Sequence, residues 1–212
     1  MKTLENIDAV IFDLGGVILN LDYNLTVIEF EKHVEGLDRN VFFGKKEQLP
    51  FFSAYEVGKI STEEFIKSFN DYYMKNFSYE DFKSYWNAMI LDIPLGRIEL
   101  IRSLKTQGKK VFLLSNINHL HEIAVEERFK ELGETSNFLS LFDKGYYSHH
   151  IGLRKPTTEI FDYVMKEQNL TPDRTVFIDD SVHHVEGARL VGINAVHLSD
   201  GQPLETQTYL YA

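Results

Sequence analysis

Five chemically capable side chains stand where apolar runs end. Asp13 lies near the end of the run AVIFDL (Ala9 to Leu14), which Gly15 and Gly16 then punctuate. Ser115 and Asn116 close VFLLS and its extension, and Asp179 and Asp180 close TVFID and its extension. Lys155 sits on a nearby Gly-flanked loop. Together these groups suit attack on a phosphate monoester, because a carboxylate can attack phosphorus in line and form an acyl phosphate. Two anions meeting in a dry site repel each other, and a divalent cation offsets that repulsion. Mg²⁺ takes carboxylate, carbonyl and water oxygens in an octahedron. Asp13 and Asp180 can supply side-chain oxygens and Gly15 a backbone carbonyl, while Asp179 can hold a metal-bound water. The Ser115 hydroxyl and the Lys155 ammonium can bind phosphoryl oxygens. Gly16, beside Gly15, lets backbone come close to that group. The amide of Asn116 can bind a phosphoryl oxygen or hold the adjacent loop.

Those residues need a scaffold that gathers them. AVIFDL, VFLLS and TVFID lack clean alternation and are rich in branched residues, as expected of strands buried on both faces. A fourth run, NAVHL, spans Asn194 to Leu198. Helical patterns lie between them. Ile98, Ile101 and Leu104 recur before a Gly108 stop, and further helices are expected over Leu120–Leu132, Thr158–Glu167 and Val182–Leu190. Alternating strands and helices predict an α/β fold with a Rossmann-like parallel sheet covered by helices on both faces. Strand ends in such a sheet face a shared crevice.

The stretch from about Tyr23 to Ile93 has no comparable strand and is rich in aromatic and acidic residues. Helices are expected over Leu25–Val34, Thr62–Tyr73 and Ser78–Met89, the second announced by the cap-like Ser61-Thr62-Glu63-Glu64. Residues 23–93 therefore read as a small helical insert after the first strand. Residues 1–22 and 94–212 read as the sheet-bearing core.

Composition narrows the function classes. The 212 residues are 43% hydrophobic and include no cysteine, which excludes disulfides, thiolate nucleophiles and cysteine-ligated metal sites. Against 32 Asp and Glu stand 22 Lys and Arg, a formal charge of -10 with no basic stripe, so nucleic acid is not an expected partner. No apolar run reaches the roughly 20 residues of a membrane helix. The start MKTLENIDAVIF is unlike a secretory signal, so a cytoplasmic location is expected with no membrane partner, as a monomer or homodimer.

The motifs FDLGGV (Phe12 to Val17), LLSN (Leu113 to Asn116), GLRKP (Gly152 to Pro156) and FIDDS (Phe177 to Ser181) resemble, in order and spacing, the haloacid dehalogenase-like superfamily, mainly its phosphatase branch. The resemblance implies Asp13 as nucleophile, Ser115 as phosphate-binding hydroxyl and Lys155 as charge stabiliser. It also implies Asp180 as a Mg²⁺ ligand with Asp179 beside it, a small phosphorylated metabolite as substrate, and the helical insert as a cap. The stretch DLGGVILNLD further resembles a sub-branch that includes bacterial α-glucose-1-phosphate phosphatases, which points to a sugar phosphate.

One departure matters. Typical phosphatases of this family carry a second Asp two positions after the nucleophile, as general acid and base. Here that position is Gly15. Asp22, where the core chain leaves for the cap, is a candidate substitute at the substrate, and so is His184, which follows the acidic pair. Asp22 also suits a helix cap or hinge. His119, His121, His149, His150 and His183 can edge the same crevice or lie on the surface. Two alternatives follow. One is metal-independent release of halide from a 2-haloacid. The other is a phosphometabolite-binding protein whose turnover is impaired by the missing acid.

Overall fold

The computed structural model describes residues 6–39, 49–199 and 203–204. Residues 40–48 of the insert lie outside the described residues. Among the described residues five parallel strands make one sheet: β1 (Ala9–Phe12), β2 (Lys110–Ser115), β3 (Lys144–Tyr147), β4 (Thr175–Asp179) and β5 (Asn194–His197), in the order β3-β2-β1-β4-β5. β1 is central and pairs with β2 on one side and β4 on the other; Phe12 stands in register with Leu113 and Ile178. That register brings the chain just after each of these strands to the same edge.

The lack of alternation in β1 has a direct structural counterpart. Val10 and Phe12 enter one apolar layer, with Ile98, Ile101 and Leu104 of α5 (Leu95–Thr106) and Val125 and Phe129 of α6 (His119–Glu131). Ala9 and Ile11 enter the other, with Ile160, Phe161 and Val164 of α8 (Thr158–Glu167) and Val185 and Ala188 of α9 (Val182–Leu190). A strand flanked by helices on both faces has no solvent face on which to place polar residues.

Among the described residues four α-helices lie between β1 and α5: α1 (Tyr23–Glu31), α2 (Pro50–Glu56), α3 (Thr62–Tyr73) and α4 (Tyr79–Trp86). They bury their own aromatic core, built on Phe30, Phe52, Phe65, Phe69, Phe82 and Trp86. The rings meet mostly tilted or edge to face, as between Phe65 and Phe82 at 5.5 Å and 90°. The expected cap of α3 forms as a reciprocal pair: Glu64 N donates to Ser61 Oγ at 3.2 Å, and Ser61 N donates to Glu64 Oε2 at 2.7 Å. The two chains joining this unit to the sheet pair with each other. Leu91 N donates to Asn20 O at 3.1 Å and Asp22 N to Met89 O at 3.0 Å.

Three expectations are corrected. Helix α1 starts at Tyr23 and ends at Glu31, earlier at both ends than Leu25–Val34, because Asp22 caps it by accepting from Asn24 N at 3.0 Å. The segment Ser78–Met89 divides into α4 and a 3₁₀ turn over Asn87–Met89. Strand β3 and helices α2 and α7 (Ser148–Ile151) were not expected at all.

Candidate active site

Asp13 follows β1, Ser115 ends β2, and Asp179 ends β4 with Asp180 next. The parallel register therefore collects all four at one edge. Carboxylate oxygens of Asp13, Asp179 and Asp180 lie within 4.8 Å of one another. Asp13, Asp179 and Ser115 are buried, and Asp180 is partly open.

Lys155 reaches this cluster from the loop before α8 and is wholly buried. Its Nζ donates to Asp13 Oδ1 at 2.7 Å, Asp179 Oδ2 at 2.6 Å and the Leu114 carbonyl at 2.9 Å. All three ammonium hydrogens thus have an acceptor, the condition under which a buried charge is tolerated. Asn116 fixes the loop by a reciprocal pair: its Nδ2 donates to Lys155 O, and Lys155 N donates to its Oδ1, both at 2.9 Å.

The electrostatics are lopsided. Burial raises the Asp13 carboxyl, against the pull of Lys155, and the charges of Asp179 and Asp180 raise it further. Asp179 goes the other way. Burial alone would raise it, but Lys155 and His184 outweigh that and hold it below the usual carboxylate range. Asp13 and Asp179 share the lysine, and Asp180 stands as a third carboxylate beside them. An octahedral Mg²⁺ with oxygens at 2.0–2.1 Å separates opposite ligands by about 4.2 Å. The all-oxygen donor set and its spacing fit such an ion.

The glycine turn shapes the cluster. Gly16 has φ +72°, and a Cβ there would fall 2.3 Å from Asp180 Oδ2. The carboxylate therefore packs against bare backbone. At Gly15 a Cβ would fall 2.5 Å from Leu21 Cδ1, so leucine occupies the space into which a side chain at position 15 would grow.

The remaining sequence-predicted residues are already engaged by the protein. Asp22 Oδ1 accepts from both Asn24 N and Asn24 Nδ2 at 3.0 Å, at the start of α1. His184 Nδ1 lies 3.0 and 3.1 Å from the two oxygens of Asp179. Of the other histidines, His121 is buried against Trp86, with ring centroids 5.2 Å apart and planes 9° apart.

Three neighbours were not expected. His197 Nε2 lies 2.9 Å from the Asp180 carbonyl. The register of β5 on β4 sets His197 beside Asp179, a signal available only once NAVHL is paired in parallel with TVFID. Glu56, at the end of α2, comes within 3.1 Å of Arg154 Nε, an ion pair across the seam between the helical unit and the sheet. Tyr23 is half exposed, yet its phenol is pushed up, by desolvation first and then by the charges of Asp180, Asp13 and Glu56.

A sequence profile of haloacid dehalogenase-like hydrolases matches residues 7–192. The chain belongs to that family. Among curated relatives of this hydrolase, a D-ribitol-5-phosphate phosphatase of Bacteroides thetaiotaomicron is 30% identical over 197 residues, covering 92% of this chain and 93% of the relative. A phosphorylated carbohydrates phosphatase of Thermotoga maritima is 26% identical, covering 93% and 89%. A crystal structure of a haloacid dehalogenase family enzyme from Bacteroides thetaiotaomicron, in complex with magnesium and inorganic phosphate, superposes with a TM-score of 0.85. It is 28% identical, with 97% of this chain and 100% of that one covered. The hydrolase thus falls in the phosphatase branch with a helical cap. Among its described residues no helix is long and apolar enough to cross a membrane.

Proposed function

We propose that this hydrolase cleaves a small sugar or polyol phosphate, with Asp13 as nucleophile and Mg²⁺ as cofactor. The observation that carries the reading is the cluster of Asp13, Asp179 and Asp180 at one sheet edge, with Lys155 paired to the two buried members, Asp13 and Asp179. The full-length likeness to a polyol-phosphate phosphatase and the magnesium and phosphate complex of a related enzyme support it. In this reading residues 23–93 act as the cap, over a core of residues 1–22 and 94–212.

Asp13, Asp180 and the Gly15 carbonyl would hold the ion, with Asp179 beside them. Bound there, Mg²⁺ neutralises carboxylate charge and draws electron density from a phosphoryl oxygen. Asp13 attacks phosphorus, the phosphorus–oxygen bond to the alcohol breaks, and an acyl phosphate forms on Asp13. Lys155 holds the Asp13 carboxylate in place and balances charge on the phosphoryl oxygens, with Ser115 donating from the β2 end. Asn116 acts through Lys155 by fixing its backbone. His184 orients Asp179, and His197 orients the Asp180 backbone. Water then attacks the phosphorus, releasing phosphate and restoring the carboxylate.

Gly15 offers no proton to the leaving alcohol, and Leu21 fills the space beside it, so the leaving oxygen takes its proton from solvent or from the substrate's own hydroxyls. This favours leaving groups that tolerate weak acid assistance. An anomeric sugar phosphate, as suggested by DLGGVILNLD, is one such substrate. An open-chain polyol phosphate is the one favoured by likeness over the whole chain.

The test is a phosphate-release screen across polyol, pentose and hexose phosphates with Mg²⁺. Release from at least one that EDTA abolishes is expected. Release that survives EDTA would defeat the metal assignment. Metal-independent chloride release from 2-chloropropionate would favour the dehalogenase reading instead.

A further inference from the structure

Away from the aspartate cluster, three imidazoles converge on a single carboxylate oxygen. His149 Nε2 lies 2.9 Å from Glu122 Oε2, His150 Nε2 3.2 Å and His119 Nδ1 3.6 Å. His119 and Glu122 lie one turn apart at the start of α6, and His149 and His150 lie in α7. The ligand atoms of His119, Glu122 and His149 all fall within 4.8 Å of one another.

The tautomer of His149 is set by its other nitrogen. His149 Nδ1 is 2.7 Å from the Ile117 carbonyl, which can only accept, so Nδ1 carries a proton. Its other nitrogen, Nε2, then faces Glu122 Oε2 at 2.9 Å. Tetrahedral zinc with bonds of 2.0–2.1 Å spaces neighbouring ligands about 3.3 Å apart. The separations from Glu122 Oε2 to His149 Nε2 and His119 Nδ1, 2.9 and 3.6 Å, lie on either side of that value. An Nδ1–H held by a backbone carbonyl is also the usual outer support of a metal-bound histidine.

We propose that His119, Glu122 and His149, with His150 alongside, bind a divalent transition-metal ion of the zinc class at a second site, separate from the aspartate cluster. Imidazole donors select zinc, nickel or cobalt, whereas the oxygen-only cluster suits magnesium. The site joins two segments that matter to the reaction centre. Ile117 lies two residues after Ser115, and α7 leads into the loop of Lys155. The same seam carries the cap: Ser148 Oγ donates to the Glu56 carbonyl at 2.7 Å, and a Cβ on Gly58 would fall 2.1 Å from the His149 carbonyl. An ion here would brace the junction of cap, α6 and α7.

The test uses full-length protein stripped by chelator, then held in excess Mg²⁺ so that the oxygen cluster is filled. Zn²⁺ is titrated by calorimetry and Co²⁺ by visible absorption. One equivalent of Zn²⁺, intense tetrahedral Co²⁺ bands and a raised melting temperature are expected. His149→Gln and His119→Gln should each weaken Zn²⁺ binding about tenfold or more. His119 has a side chain 55% exposed, so its variant tests the site without endangering the fold. No Zn²⁺ uptake by the parent protein, or uptake unchanged in both variants, would overturn the proposal. Neither result bears on hydrolysis at Asp13.

Discussion

Lys155 Nζ lies 2.7 Å from Asp13 Oδ1 with no exposure to solvent, a pairing that joins residues 142 positions apart in sequence. The lysine counters carboxylates that burial would otherwise leave unpaired, and in the proposed reaction it also holds the attacking group in place.

Replacing the ammonium should therefore damage both. Lys155→Met is expected to lower stability by about 3–5 kcal/mol, because it leaves buried carboxylates unpartnered. It should lower kcat by roughly 10²–10³-fold. Denaturant melts and phosphate release measure the two effects separately. A variant as stable and active as the parent would show that the pairing is incidental.

The Gly15–Leu21 contact makes a paired prediction. Gly15→Asp alone should destabilise, since its Cβ would start 2.5 Å from Leu21 Cδ1. Gly15→Asp combined with Leu21→Ala makes room and should recover much of that loss. If the new carboxyl reaches the leaving oxygen, turnover of polyol phosphates should rise, within the 10²–10⁴-fold range of general acid catalysis. Additive melting temperatures in the double variant would contradict the steric reading.

Gly16→Ala should weaken Mg²⁺ binding more than it unfolds the protein. The positive φ costs about 1–2 kcal/mol for a residue with a Cβ, and that Cβ would also displace the Asp180 carboxylate. Calorimetric Mg²⁺ titration checks the claim. Unchanged affinity would mean that the Asp180 oxygens take no part in binding the ion.

Glu56 supplies a pH dependence. Burial pushes its carboxyl above the ordinary value, against Arg154 and then Lys155. A carboxyl raised on folding holds its proton longer in the native state than in the unfolded one. Its stabilising contribution is therefore full below the unfolded value of 4.5 and is lost as pH rises through the folded one. Glu56→Gln cannot ionise, so its melting temperature relative to the parent should climb from pH 4 toward neutrality. A difference that shrinks over that range would contradict the assignment.

Much of this was legible in the residues. Asp13, Ser115, Asp179 and Asp180 could be picked out as candidates that meet at one edge because strands buried on both faces leave few places for polar residues except their ends. Thr62–Tyr73 and Thr158–Glu167 were placed to the residue because a cap motif or a Pro just upstream marks the start of each. Strand β3 was not legible. KGYY has two apolar residues and a glycine, and it becomes a strand only by pairing with β2. Helix α2 hides in an aromatic stretch whose period is too short to read. Asn116 was placed at the site, but its lock on the Lys155 backbone depends on a contact 39 positions away. Leu21 could not be identified from sequence as the residue filling the space beside Gly15. That follows from the turn at Gly16 and from the pairing of the cap linkers.

The central claim is that Asp13 carries the phosphoryl group. The most direct measurement is Mg²⁺-dependent phosphate release by Asp13→Asn, purified beside the parent and shown to be folded by its melting curve. The account predicts release at the level of a protein-free blank, with Mg²⁺ and a polyol or sugar phosphate at concentrations that saturate the parent. Release within tenfold of the parent would contradict it.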